Sequence, residues 1–173
     1  MSTLKTVAGL MEVAARTAPK TKGEDYVVAT VVEGQDVQRL AQAMKAHGEK
    51  KGETDPRKGF LRDGGNVERS EAVVLIGIKD ATPAGLNCGA CGYEKCMKIN
   101  TLQAEFNGPQ CAYRLLDMGI ALGSAAKMAS IMNVDNRIMY RIGAVAKQMG
   151  LIDADFVMGI PLSATGKSIY FDR

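Results

Sequence analysis

Apolar residues return every three or four positions at Leu4, Val7, Ala8, Met11, Ala14 and Ala15 behind a Ser2-Thr3 cap, which predicts an opening amphipathic helix that ends before Pro19. RTAPKTKGED then reads as a basic loop. Tyr26 to Val32 is rich in β-branched residues and predicts a buried strand, turned by Gly34. Asp36 is placed to cap a second helix with Val37, Leu40, Ala41 and Met44 inward and Gly48 as its stop. Residues 49 to 70 are charged and broken by glycine and proline, which predicts the longest exposed loop of the chain. The run AVVLIGI at 72 to 78 is apolar throughout, as in a central strand covered on both faces. Beyond Cys96, the residues Ile99, Leu102 and Phe106 continue a helical stripe. From Leu115 to Met132 the chain is apolar on nearly every side, with small residues at Gly119, Gly123, Ser124 and Ala125, and predicts a buried central helix. Asp135 is placed to cap a further helix bearing Ile138, Ile142, Val145 and Met149, which Gly150 ends. FVMGIP at 156 to 161 is the last strand, and LSATGKSIYFDR forms a tail. The sum is an α+β fold, a single domain over residues 1–173 with an insertion at 85–112.

A chain of 173 residues with 46% hydrophobic and 24% charged residues can bury a substantial core. Ten methionines and no tryptophan make that core an adaptable one. The net charge of +3 is small and its basic residues are interleaved with acidic ones, which argues against nucleic-acid binding. No basic segment is followed by an apolar stretch and a cleavage site, and no 18 uncharged apolar residues run together, so a cytoplasmic protein without membrane attachment is expected.

All four cysteines lie close together, at Cys88, Cys91, Cys96 and Cys111, in the spacing C-x2-C-x4-C-x14-C. A 4Fe-4S cluster needs four converging thiolates, and three commonly come from one tight loop. Gly89 and Gly92 each follow a cysteine, where positive φ lets the backbone curl and aim N–H groups at sulfur. A structural zinc site is the alternative, although zinc ligands usually come as two C-x2-C pairs. Lys95, Lys98 and Arg114 stand near the cysteines in sequence, either as counter-charge to an anionic cluster or as a solvated face.

The NCGACGYEKC segment resembles the iron-sulfur modules of the corrinoid iron-sulfur protein and of the B subunit of the Rnf electron-transport complex, where four cysteines bind a 4Fe-4S cluster. Together with AARTAPKTKGED, DMGIALGSAAKMASIMNVDNR and GIPLSATGKSIYFDR, it resembles the prokaryotic family of uncharacterised ferredoxin-domain-containing proteins. The order of elements, with Ala18-Pro19 after the first helix and Val157, Gly159 and Pro161 on the last strand, is also similar to a shortened form of the flavin-dependent nitroreductase fold. That similarity implies Pro19, Lys20 and Gly159 beside a bound flavin such as FMN, and a homodimer.

TGKS at 165 to 168 lacks the glycine and the following helix that a phosphate loop needs. Ser163, Thr165 and Lys167 with Arg16, Thr17, Lys20 and Lys22 form a candidate composite anion site, against the alternative of solvated loops. Lone His47 suits the C-terminal end of a helix, where partial positive charge is welcome, better than catalysis. Asp117, inside the apolar helix, reads as a hydrogen-bonded buried acid, with proton donation as the alternative. The leading expectation is a 4Fe-4S protein in electron transfer, as a carrier or a redox-enzyme subunit with a redox protein partner. The alternatives are a flavin-dependent reductase using FMN plus cluster, and a non-redox module in which the metal is a structural clip.

Overall fold

The computed structural model describes residues 3–97 and 102–171. Strands β1 (Val27–Glu33), β2 (Ala72–Ile78), β5 (Asp135–Asn136) and β6 (Phe156–Ser163) form one antiparallel sheet in the order β1-β2-β6-β5. Every residue of β2 is buried, as the unbroken apolar run predicts. Side chains alternate across a strand, so Ala72, Val74, Ile76 and Ile78 join one core and Val73 and Leu75 the other. Helices α1 (Thr3–Thr17) and α4 (Ala112–Ile131) pack on the first face. Helices α2 (Gln35–Lys50), α3 (Gly59–Glu68) and α5 (Tyr140–Gln148) pack on the second. A two-stranded ribbon of β3 (Leu102–Gln103) and β4 (Asn107–Gly108) stands apart from the main sheet.

Register fixes which loops share an end of the molecule. Val27 pairs with Ile78, and Ile78 with Phe156, at the end where the chain leaves for the cysteine loop. Glu33, Ala72 and Leu162 align at the opposite end. Seven residues of strand separate the two by roughly 20 Å.

Helix α5 lies close on β6. A Cβ at Gly143 would stand 1.9 Å from the Val157 carbonyl oxygen, and one at Gly159 would stand 2.1 Å from Ile142 Cγ2. Gly159 also exchanges backbone hydrogen bonds with Met139, which leads into α5. Gly159 is thus a packing residue beneath α5 rather than a position beside a ligand.

Three sequence expectations are corrected. The stretch 49–70 contains α3, which Phe60 and Val67 bind to the core. Its first turn is satisfied from outside, since Leu61 N–H donates to Glu53 Oε2 at 3.1 Å, and neither feature has a periodic signature. Beyond Cys96, Leu102 and Phe106 belong to a ribbon and its turn, with Leu102 62% exposed and Phe106 stacked on Phe156 at 4.2 Å; Ile99 lies outside the described residues. Asp135 pairs with Ser163 at the sheet edge instead of capping a helix, and α5 begins at Tyr140.

Replacing Gly143 by alanine must push α5 off β6. The expected loss is about 1–3 kcal/mol of unfolding free energy, read from urea denaturation; an unchanged midpoint would contradict the packing described.

Candidate metal centre

Strand β2 delivers the chain to the cysteine loop, whose base is anchored by buried Ala81 and Ala84. The loop then turns through Gly89 at φ 72° and Gly92 at φ 89°, both left-handed, with Gly92 N–H donating to the Gly89 carbonyl at 2.9 Å. Asn87 closes it from the other side. Its Oδ1 accepts from Cys96 N–H at 2.8 Å, and its own N–H donates to Cys96 Sγ at 3.2 Å. After the β3-β4 ribbon and the cis Gly108-Pro109 bond, the chain reaches Cys111 at the N-cap position of α4. Cys88, Cys91, Cys96 and Cys111 all line one pocket, walled by Pro83, Tyr93, Met97 and Pro109. Among the described residues, no three His, Cys, Asp or Glu side chains are gathered tightly enough to hold a single metal ion.

Cys111 has the most distinctive electrostatics of the four. Burial pushes its thiol up, but backbone N–H groups of Ala84, Arg114 and Tyr113 and the Arg114 charge outweigh that and hold it below the ordinary range. The position at the start of a 20-residue helix acts in the same direction, because the helix dipole favours negative charge there. The chain thus presents the fourth cysteine as a good thiolate donor.

One turn along, Arg114 is 1% exposed. Its Nε donates to Thr82 O at 2.8 Å, and its Nη1 to Thr21 O at 3.0 Å and Asp117 Oδ2 at 3.2 Å, while Nη2 pairs with Glu24. Asp117 Oδ1 accepts from both Thr21 N–H and Thr21 Oγ1 at 2.8 Å. Arg114 is therefore a neutralised structural cation beneath the loop, and Asp117 is the hydrogen-bonded buried acid anticipated. Lys95 lines the cysteine pocket; Lys98 lies outside the described residues.

The ribbon side is held by Asp155. Its backbone oxygen accepts from Asn107 N–H at 2.9 Å, its Oδ1 from Asn107 Nδ2 at 2.8 Å, and its Oδ2 from Asp80 N–H at 2.8 Å. His47 sits near the end of α2, 4.6 Å from the Phe60 ring and 3.4 Å from Glu105, in a packing position.

The residues anticipated for an anion or a flavin are not brought together. Arg16 donates to Asp25 Oδ2 at 2.9 Å and to Val27 O at 2.8 Å. Lys20 caps the end of α1, donating to Arg16 O at 2.6 Å and Ala18 O at 2.9 Å. Thr17 donates to Val13 O at 3.1 Å, and Pro19 lines a groove between α1 and α4. Lys22 reaches over Gly85 at the start of the cysteine loop. Ser163 is buried at the far end of β6, and Thr165 closes a turn there with Lys167 O at 2.7 Å. These two groups lie at opposite ends of the sheet, with Gly159 under α5 between them, and within the chain they do not form one composite anion site. The sequence reading missed Asn87, Asn107 and Asp155; only Asn87 had a signal, as a residue prone to positive φ directly before a cysteine.

Residues 107–173 match the family described as uncharacterized proteins containing a ferredoxin domain (DUF2148). A relative from Archaeoglobus fulgidus, described as an uncharacterized protein, is 47% identical over 173 residues, covering 98% of this chain and 91% of its own. The chain belongs to this ferredoxin-domain family. Among solved structures, a putative nitroreductase from Desulfovibrio desulfuricans in complex with FMN superposes with a TM-score of 0.61 at 11% identity, over 100% of this chain and 80% of its own. The FMN-dependent nitroreductase NfnB from Mycobacterium smegmatis in complex with NADPH gives 0.59 at 14% identity, over 98% and 82%. A nitroreductase with bound FMN from Desulfitobacterium hafniense gives 0.60 at 16% identity, over 96% and 80%. The likeness is one of fold: this member of the ferredoxin-domain family has a shortened nitroreductase-like α+β architecture.

Removing the Asp117 carboxylate with Asp117→Ala leaves the buried guanidinium under-compensated. Guanidinium denaturation should show about 3–5 kcal/mol less stability, whereas a loss below ~1 kcal/mol would mean that Glu24 alone suffices.

Proposed function

We propose that the protein transfers electrons through a 4Fe-4S cluster held by Cys88, Cys91, Cys96 and Cys111, as a carrier or as a subunit of a redox enzyme. One observation carries the proposal: four cysteines distant by up to 23 positions rim a single pocket at the N-terminus of α4. A zinc ion bound at about 2.3 Å draws four sulfurs to within about 4 Å of each other. Three cysteines within nine residues and a fourth standing apart differ from the two C-x2-C pairs usual for zinc and suit a cluster with one iron at each thiolate. When bound, such a cluster supplies reversible one-electron chemistry.

The chain's own groups have definable parts in this. The N–H groups directed at Cys96 and Cys111 sulfur stabilise added negative charge, and so favour the reduced state. Asn87 keeps the third cysteine folded back towards the first. Exposed Cys88, Tyr93 and Met97 leave the rim open to a partner protein, the route by which an electron would leave. Residues 85–112 act as the cluster-bearing insertion of a single domain. No described helix is long and apolar enough to cross a membrane, which is compatible with the cytoplasmic setting proposed for thiolate ligands.

A homodimer is part of the proposal, supported by the outer face of α4. Leu116 is 60% and Ile120 46% exposed, and Gly119 and Gly123 between them have no atom within 4 Å of a Cβ position. An apolar stripe with two open glycines allows close approach of a second helix. Ile120→Glu should convert a dimer to a monomer in sedimentation equilibrium; a wild-type monomer at micromolar concentration would remove this part of the proposal.

Anaerobic purification with elemental and flavin analysis tests the main reading. About four iron and four sulfide per chain are expected, with reversible bleaching of the visible absorbance by dithionite. Serine at any of the four cysteines should abolish or severely deplete the iron. Stoichiometric zinc, or a cluster that accepts no electron, would establish the structural clip instead. Stoichiometric flavin, as in the FMN complexes of the structural neighbours, would favour a flavin-dependent reductase.

A further inference from the structure

The groove along the outer side of α3 lies away from the cysteine pocket and has a volume of about 850 Å³, within the usual range of small-ligand sites. Its lining includes Arg57, Lys58, Arg62 and Arg69 together with Gly65 and Asn66.

Two features of this lining have no purely structural account. Helix α3 contains two adjacent glycines, each costing helix stability relative to alanine. Gly64 is explained by packing, since its Cβ would meet Ala41 O at 3.0 Å and Lys45 Cγ at 2.9 Å on α2. Gly65 faces the groove, and nothing lies within 4 Å of its Cβ position. The helix backbone is left bare there, at the groove lining. Beside it, Asn66 is 4% exposed, and its Oδ1 accepts from Arg69 Nη2 at 3.0 Å. Its amide NH2 is the part with donor capacity to spare, and Asn66 lines the groove.

The charges define the ligand further. Asp55 and Glu68 also line the groove, but each is already engaged, Asp55 by Arg57 at 3.0 Å and Glu68 by Lys45 at 2.8 Å. The Arg57 guanidinium holds the Asp55 carboxyl down at about 2, so this pair stays ionised at neutral pH. Arg62 is fixed against buried Asp63, which also binds Arg141 at 3.0 Å. Among the described residues, Arg69 donates to the Gly65 carbonyl and Asn66 and has no carboxylate partner. A positively charged cradle with amide and guanidinium donors matches the oxygens of phosphate. Its volume exceeds that of one phosphate.

We propose that this groove binds a small ligand carrying a di- or triphosphate, with Lys58, Arg62 and Arg69 on the phosphates and the bare backbone at Gly65 permitting close approach. Isothermal titration calorimetry with pyrophosphate and with ATP as probes tests it on the full-length protein. Micromolar binding of either probe is expected for the wild type. Arg69→Gln should weaken it at least tenfold. Gly65→Leu, which replaces glycine by a strong helix former at an open position, should abolish binding while the thermal midpoint holds or rises. Tighter binding of ATP than of pyrophosphate would assign a nucleotide, and equal binding a bare polyphosphate group; both support the site. No heat with either probe, or equal affinity for wild type, Arg69→Gln and Gly65→Leu, overturns it. So does binding of an acidic peptide or an oligonucleotide where pyrophosphate fails.

Discussion

A guanidinium group removed from water must find a partner for nearly every N–H it carries, and that requirement organises the site end of this molecule. Arg114 meets it by reaching three stretches of chain at once: Thr82 before the cysteine loop, Thr21 and Glu24 in the turn after α1, and Asp117 on its own helix. Neither Thr82 nor the turn from Thr21 to Glu24 offers a large apolar side chain to fix it, whereas α4 is held by Met118 and Leu122. The ion pair gives geometry more than net stability, because desolvation of the charges offsets much of their attraction. Cys111 lies one helical turn before Arg114, so fixing the arginine fixes the direction in which α4 presents its first residues to the pocket.

The cysteine loop is suspended between this network and a second one built on Asp155. Between the two, residues 85–97 are mostly exposed and contribute nothing to either hydrophobic core. A segment with so little buried apolar surface opens at low free-energy cost. Its order depends on the Asn87 clamp, on two glycine turns and on whatever the thiolates ligate. Metal binding at such a loop would contribute directly to local folding, and Cys111 at the head of α4 is the one cysteine of the four that stands on a helix rather than in the loop.

The sequence makes the layered body legible because β2 is apolar in every position and α1 and α2 carry clear stripes, each a direct record of the face it buries. The four cysteines are likewise legible, since few residue types can hold a cluster and all of them stand in one window. What escapes is tertiary. Helix α3 has three large apolar residues among its ten and owes its existence to Gly64 letting it settle on α2. Phe106 keeps a helix-like spacing from Cys96 yet stacks on Phe156, a partner 50 positions away. The clamp of Asp155 on Asn107 pairs residues that no local pattern relates.

The misplaced anion residues carry a broader physical point. Arg16 in the last turn of α1 and Lys20 just after it are basic and stand before a strand, where basic loops commonly hold anions. In this chain both are occupied by the backbone they follow: Lys20 satisfies carbonyls left unpaired at the end of α1, and Arg16 joins α1 to the start of β1 through Val27 O. A cation already bonded to two or three backbone oxygens has few donors left for a ligand, whatever the neighbouring folds hold at the corresponding place. Chemistry then depends on the groups whose hydrogen-bonding capacity the fold leaves unused. On this frame, the thiolates at the end of β2 and the head of α4 are such groups, and so are Arg69 and Asn66 on α3.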